Sequence, residues 1–116
     1  MNEIGDDFYA TIKLKSGEEI FSKVAPCEED DRTLLILSNP IIVEELTVRG
    51  KFQGFKMEPW IKTSNDDMFI LNMNEVMTMS ESNSIEMILY YQEYVRKINK
   101  TNYSKLDRKM GYLSSV

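Results

Sequence analysis

The sequence contains no histidine. With it go the commonest general base, the commonest metal ligand and the usual partner of a serine or cysteine nucleophile. Carboxylate or lysine chemistry survives that exclusion in principle, but no glycine-rich phosphate loop or paired-carboxylate motif is present to organise it. No enzymatic activity and no cofactor are expected. Cys27 is the only cysteine, which excludes an internal disulfide and a cysteine-held zinc. With no basic activator nearby, it reads as a bystander in an acidic loop. Long apolar runs are missing too. Nothing approaches the roughly 20 residues of a membrane-spanning helix, and Met1 to Asp7 lacks the basic and apolar regions of a signal peptide. A soluble, non-secreted, cytoplasmic protein is the expectation.

What the sequence does contain is unevenly distributed charge. The net charge of −5 divides into 8 Lys/Arg against 18 Asp/Glu over residues 1–95, and 6 Lys/Arg against Asp107 alone over residues 96–116. An acidic body disfavours sequence-blind binding to a polyanion, so any nucleic-acid contact must use a local site or the basic end. At 116 residues the chain suits one domain, burying roughly two-thirds of its unfolded surface.

The stretch Phe8–Val24 reads as a hairpin. Phe8, Ala10, Ile12 and Leu14 alternate with Tyr9, Thr11, Lys13 and Lys15, and beyond Ser16-Gly17 the residues Ile20, Ser22 and Val24 alternate with Phe21 and Lys23. Gly17 supplies the positive φ such a turn commonly needs. Because a lone hairpin is marginal in water, further strands must cover it.

The acids Glu28, Glu29, Asp30 and Asp31 belong to a solvated loop. A metal site there is the weaker alternative, since the alternating ligands and central glycine of a calcium loop are missing. Thr33–Ser38 is a third strand, too continuously apolar for an exposed face. Asn39-Pro40 predicts a bend or bulge, because proline lacks an amide donor and restricts its predecessor. Ile41–Leu46 continues extended, Gly50 and Gly54 loosen the next connection, and Phe55–Ile61 forms a fourth strand with Pro59 at an edge or bulge. Lys62–Asp67 is a polar turn. Met68–Met79 is extended again, interrupted at Asn72, Asn74 and Glu75.

The period then changes. Asn83 with Glu86 makes a capping box, and Ile88, Tyr91, Val95 and Ile98 recur at helical spacing. That face is expected to cover an open barrel end, or else to dock a partner. The organisation expected is an extension (1–7), a barrel (8–82), a helix (83–100) and a basic tail (101–116) that is mobile or folds on contact.

Ala10-Thr11-Ile12-Lys13-Leu14-Lys15-Ser16-Gly17-Glu18-Glu19-Ile20 resembles the opening hairpin of the Sm-like family, and Met68–Ser80 resembles its closing strand pair. With Asn39-Pro40, Glu58-Pro59-Trp60 and the helix, the chain is more narrowly similar to uncharacterised Sm-like proteins attributed to cyanophages. The resemblance implies a mainly β fold, a small, strongly bent five-stranded Sm-like (SH3-type) barrel with a C-terminal α-helix. It also implies a homo-oligomeric ring of five, six or seven subunits, its interface drawn from Phe55, Met57, Trp60, Val76 and Met77.

The family's base pocket uses an asparagine before the third strand and an arginine-glycine pair before the last. Here Thr33 and Asn72-Met73 stand at those positions, and neither matches. Val48-Arg49-Gly50 spells the second signature literally, but using it would close the barrel early and strand Phe69–Met79. It reads as a decoy, or otherwise as a loop arginine of chemical use. Two functions follow. One is an RNA-binding ring, RNA chaperone-like and of bacteriophage or bacterial origin, whose Arg32, Thr33 and Asn72 converge on a pore and read single-stranded RNA. The other is an adaptor ring that binds protein without RNA through its helix face, tail, exposed Trp60 and Met-rich strands.

Overall fold

Alternation in Phe8–Leu14 (β2) and Glu19–Glu29 (β3) has its expected outcome. Phe8, Ala10 and Ile12 stand opposite Val24, Ser22 and Ile20, and this face lines the core. In the turn, Gly17 has φ 98° and its amide donates to the Leu14 carbonyl at 2.9 Å, while the Leu14 amide donates to the Glu18 carbonyl at 2.8 Å. A computed structural model describes the backbone of residues 3–114 and the side chains of residues 5–99. It divides into a strand unit, residues 1–84, and a helical unit from Ile85 onward.

Arg32–Val48 (β4) is one strand of 17 residues. Its first half pairs on one side with β3 and on the other with Met68–Asn72 (β6); its second half pairs with Lys51–Pro59 (β5). Val76–Glu81 (β7) pairs with β2, and the two-residue strand Glu3–Ile4 (β1) pairs with the far end of β3. The order is β5-β4-β3-β2-β7, antiparallel throughout, and the sheet is not closed into a full cylinder. The expected five strands become seven, because β1 adds a short strand and the 3-10 turn Met73–Glu75 divides the closing segment into β6 and β7; the expected fourth strand begins earlier, at Lys51, and ends at Pro59.

The bend expected at Asn39-Pro40 is a register shift. Phe21 faces Ile41 while Lys23 faces Ser38. Asn39 has φ 48°, a conformation that asparagine tolerates better than most residues. Its amide donates to the Asp67 carbonyl at 2.6 Å, and the Pro40 carbonyl accepts from the Trp60 amide at 2.9 Å. Ser22, fully buried among apolar neighbours, donates its hydroxyl to the carbonyls of Lys23 (2.9 Å) and Ser38 (3.0 Å). A buried hydroxyl without such acceptors would cost stability.

The core consists of Ala10, Ile12, Leu14, Ile20, Val24, Leu35, Leu37 and Leu71, with Trp60, Phe69, Met73, Val76 and Met79 packed against it. The methionines Met73 and Met79 are thus core filler, whereas Met68 and Met77 are exposed.

The helix Ile85–Ser114 (α1) has 30 residues. It continues through the segment expected to be a separate tail from Thr101. Nothing between Thr101 and Ser114 stops it: there is no proline, Gly111 is the single glycine, and Lys, Arg, Leu and Met are good helix formers. Along its described face Tyr91 is buried and Ile88, Tyr94, Val95 and Ile98 are half-buried, whereas Ile85, Leu89 and Tyr90 are exposed.

Leu37 is fully buried at the middle of this core. Leu37→Ala is expected to destabilise the fold by about 2–5 kcal/mol, from lost transfer energy and the cavity left behind. A urea titration that moved the midpoint by less than the equivalent of about 1 kcal/mol would show that the core closes over the gap.

Candidate functional site

At one end of the sheet, β3 turns into β4 through Asp30-Asp31, with Asp30 at φ 50°. Glu29 and Arg32 face each other across this turn, and the Arg32 guanidinium lies 3.5 Å from the Glu29 carboxylate. The Thr33 hydroxyl donates to the Glu28 carboxylate, 3.0 Å from each oxygen. β6 ends at the same place, because Leu34 faces Asn72. The strand cannot continue there. The Asn72 side-chain oxygen accepts the Asn74 amide at 2.9 Å and caps the 3-10 turn Met73–Glu75. The Glu75 carbonyl then accepts the Lys15 amide at 2.8 Å, which fixes this junction against the opening hairpin.

The topology therefore brings Arg32, Thr33 and Asn72 to one end of the sheet. Their hydrogen-bonding capacity is only partly free. The Thr33 hydroxyl and the Asn72 oxygen are engaged, the Asn72 amide nitrogen remains a donor, and Arg32 sits in an exposed ion pair of a kind worth little in water. Around them stand Glu28, Glu29, Asp30, Asp31 and Glu75. Such a field repels phosphate, so this end is better suited to hydrogen-bonding a base edge than to gripping a backbone.

The second feature is a set of free edges. β6 and β5 pair only with β4, and β7 pairs only with β2. Met68 and Ile70 on β6 are 57% and 72% exposed, and Met77 on β7 is 62% exposed. An apolar edge left open is a template for another strand. Of the expected interface residues, Met77 is exposed, while Phe55, Met57 and Val76 are half-buried and Val76 packs on the core. Trp60 is also half-buried against the core, and its indole N–H donates to the Glu18 carboxylate at 3.1 Å. Sequence reading passed over Met68 and Ile70. Their signal was the strict alternation with Phe69 and Leu71, which turn inward.

At the base of β5, Glu58 accepts from Lys62 (3.1 Å) and Lys56 (3.2 Å), and these hydrogen bonds hold its carboxyl below the usual range. No group of three or more metal-ligating side chains occurs among the described residues. Among them, too, no helix is long and apolar enough to cross a membrane.

A bent antiparallel sheet whose first and last long strands pair, and whose longest strand divides its length among three partners, defines a small open barrel. The family model of the Sm_like domain matches residues 11–92. The chain belongs to the Sm-like family. No curated protein matches it.

Because Asn72 caps the turn that ends β6, Asn72→Ala is expected to cost about 0.5–2 kcal/mol, the usual range for losing a capping side chain. Denaturant unfolding measures this. A variant as stable as the parent would mean that the Asn74 amide finds another acceptor.

Proposed function

We propose that this protein is a ring-forming, RNA-binding Sm-like protein of bacteriophage or bacterial origin. Five to seven copies join β6 of one subunit to β7 of the next, and the ends carrying Arg32, Thr33 and Asn72 face a central pore. The observation that carries the ring is the unpaired apolar edges of β6 and β7, with Met68, Ile70 and Met77 exposed along them. A cyclic arrangement satisfies both at once without generating a fibre. RNA enters this reading through the family, and through the Asn72 amide donor and the Arg32 guanidinium, which suit the edge of a splayed base. The narrower likeness to cyanophage proteins supports the phage origin.

A second reading has its own support in the exposed Ile85, Leu89 and Tyr90 of α1. There the ring is an adaptor that binds a protein partner through its helix face without RNA.

Native mass measurement is expected to give five to seven times the 13.6 kDa of the chain. Ile70→Asp combined with Met77→Asp should reduce it to the monomer, and a parent protein that is itself a stable monomer would refute the ring. For RNA, fluorescence anisotropy with oligo(U) and oligo(A) is expected to show binding that Asn72→Ala weakens and truncation after Asn99 does not abolish. The reverse pattern would leave only electrostatic attraction to the basic end. No binding at moderate salt would favour the adaptor.

A further inference from the structure

Beyond Ile41 and Pro59 the sheet loses its third partner, and β4 and β5 run on as a two-stranded ribbon bonded only to each other. Residues 44–53 are exposed without a break. The tip is Arg49-Gly50, with φ 54° and 77°, both positive as a type I′ turn requires. Asparagine-glycine is the favoured pair for that turn, so Arg49 holds the position at some conformational cost.

From Thr47 to Lys56 the ribbon carries Arg49, Lys51 and Lys56 and not one acid, in a body that is otherwise strongly acidic. Lys56 is paired with Glu58; Arg49 and Lys51 make no ion pair among the described residues. Across the ladder Glu45 stands opposite Phe55 and Glu44 opposite Lys56, with Glu58 nearer the base, which confines the positive field to the tip around Arg49, Lys51 and Phe52. Interleaved with these cations are Phe52 and Phe55. They are three residues apart and in a regular strand would point to opposite faces. The register shift between Leu46 and Thr47 prevents that, because Leu46 faces Gly54 while Thr47 faces Phe52, leaving Gln53 as the extra residue. Gly54, at φ 143°, supplies the backbone conformation that only glycine readily adopts. The two rings consequently meet edge to face, with centroids 5.1 Å apart, and Phe52 remains 43% exposed.

We propose that this ribbon is a second binding site for single-stranded nucleic acid, separate from the Arg32–Thr33–Asn72 end. Bases stack on the Phe52/Phe55 face, and Arg49 and Lys51 contact the phosphates beside it. An exposed ring, Phe52, backed by the half-buried Phe55 and set beside unpaired cations, is what sequence-blind single-strand binding needs.

The test uses the full chain and oligonucleotides of about 15 residues, oligo(U), oligo(A) and oligo(dT), by fluorescence anisotropy across a salt series. All three are expected to bind, with only the modest differences that stacking strength sets, since phosphate contact does not distinguish them. Phe52→Ala with Phe55→Ala should weaken binding at least about tenfold at unchanged native mass. Arg49→Asn with Lys51→Gln should reduce the slope of log affinity against log salt by about 1.4, the loss of two single-strand phosphate contacts. Because Arg49→Asn creates the preferred turn pair, that variant should be at least as stable as the parent, so weaker binding cannot be ascribed to unfolding. Unchanged affinity in both ribbon variants overturns the site, even if Asn72→Ala abolishes binding and so upholds the pore. A changed native mass in the phenylalanine variant also overturns it, making the patch a contact between copies. Loss of binding in the ribbon variants with none in Asn72→Ala supports the ribbon and removes the pore.

Discussion

Everything in the strand unit follows from the interruption of β4 at Asn39-Pro40. A strand of 17 residues cannot stay flat against a small core, and proline cannot donate to a ladder. The register shift lets one strand serve β3 and β6 with its first half and β5 with its second. Ser22, Asp67 and Trp60 supply hydrogen-bonding partners at the break through a hydroxyl, a carbonyl and an amide. The polar end and the projecting ribbon lie at opposite ends of this one strand.

Two kinds of surface result, with opposite chemistry. The end that holds Arg32, Thr33 and Asn72 is crowded with carboxylates, and its polar groups are largely bonded to each other. The ribbon tip is basic, aromatic and unpartnered by a third strand. A chain with a net charge of −5 can hold a polyanion only where its acids are absent. Under the proposed function, recognition of a base and attraction to a backbone fall in different places.

Much of this was legible in the sequence because it rests on period and on single residues with narrow conformational range. The alternation of Phe8 to Val24, the break at Asn39-Pro40 and the polar interruption at Asn72 each correspond to a local physical rule, and each is where expected. The ribbon was not legible. Gly50 and Gly54 read as loosening a connection, whereas one forms a tight turn and the other a bulge inside a continuous strand. Glycine marks unusual backbone without saying which kind. The basic segment after Thr101 lacks an apolar period, yet it is rich in residues that favour a helix, and α1 continues through it. The candidate site residues were brought together by pairing between Leu34 and Asn72, a long-range register that only the alignment of two strands reveals.

The pairing of β2 with β7 sets Ala10 against Glu81, nearly the two extremes of the strand unit. Hairpins such as β2–β3 form from neighbours, but this ladder must wait until almost the whole unit has been synthesised and its ends have met. High contact order of this sort slows folding. On the ribosome β2 spends that interval with one side uncovered, so chain emergence, rather than any local step, sets when the strand unit can complete this ladder.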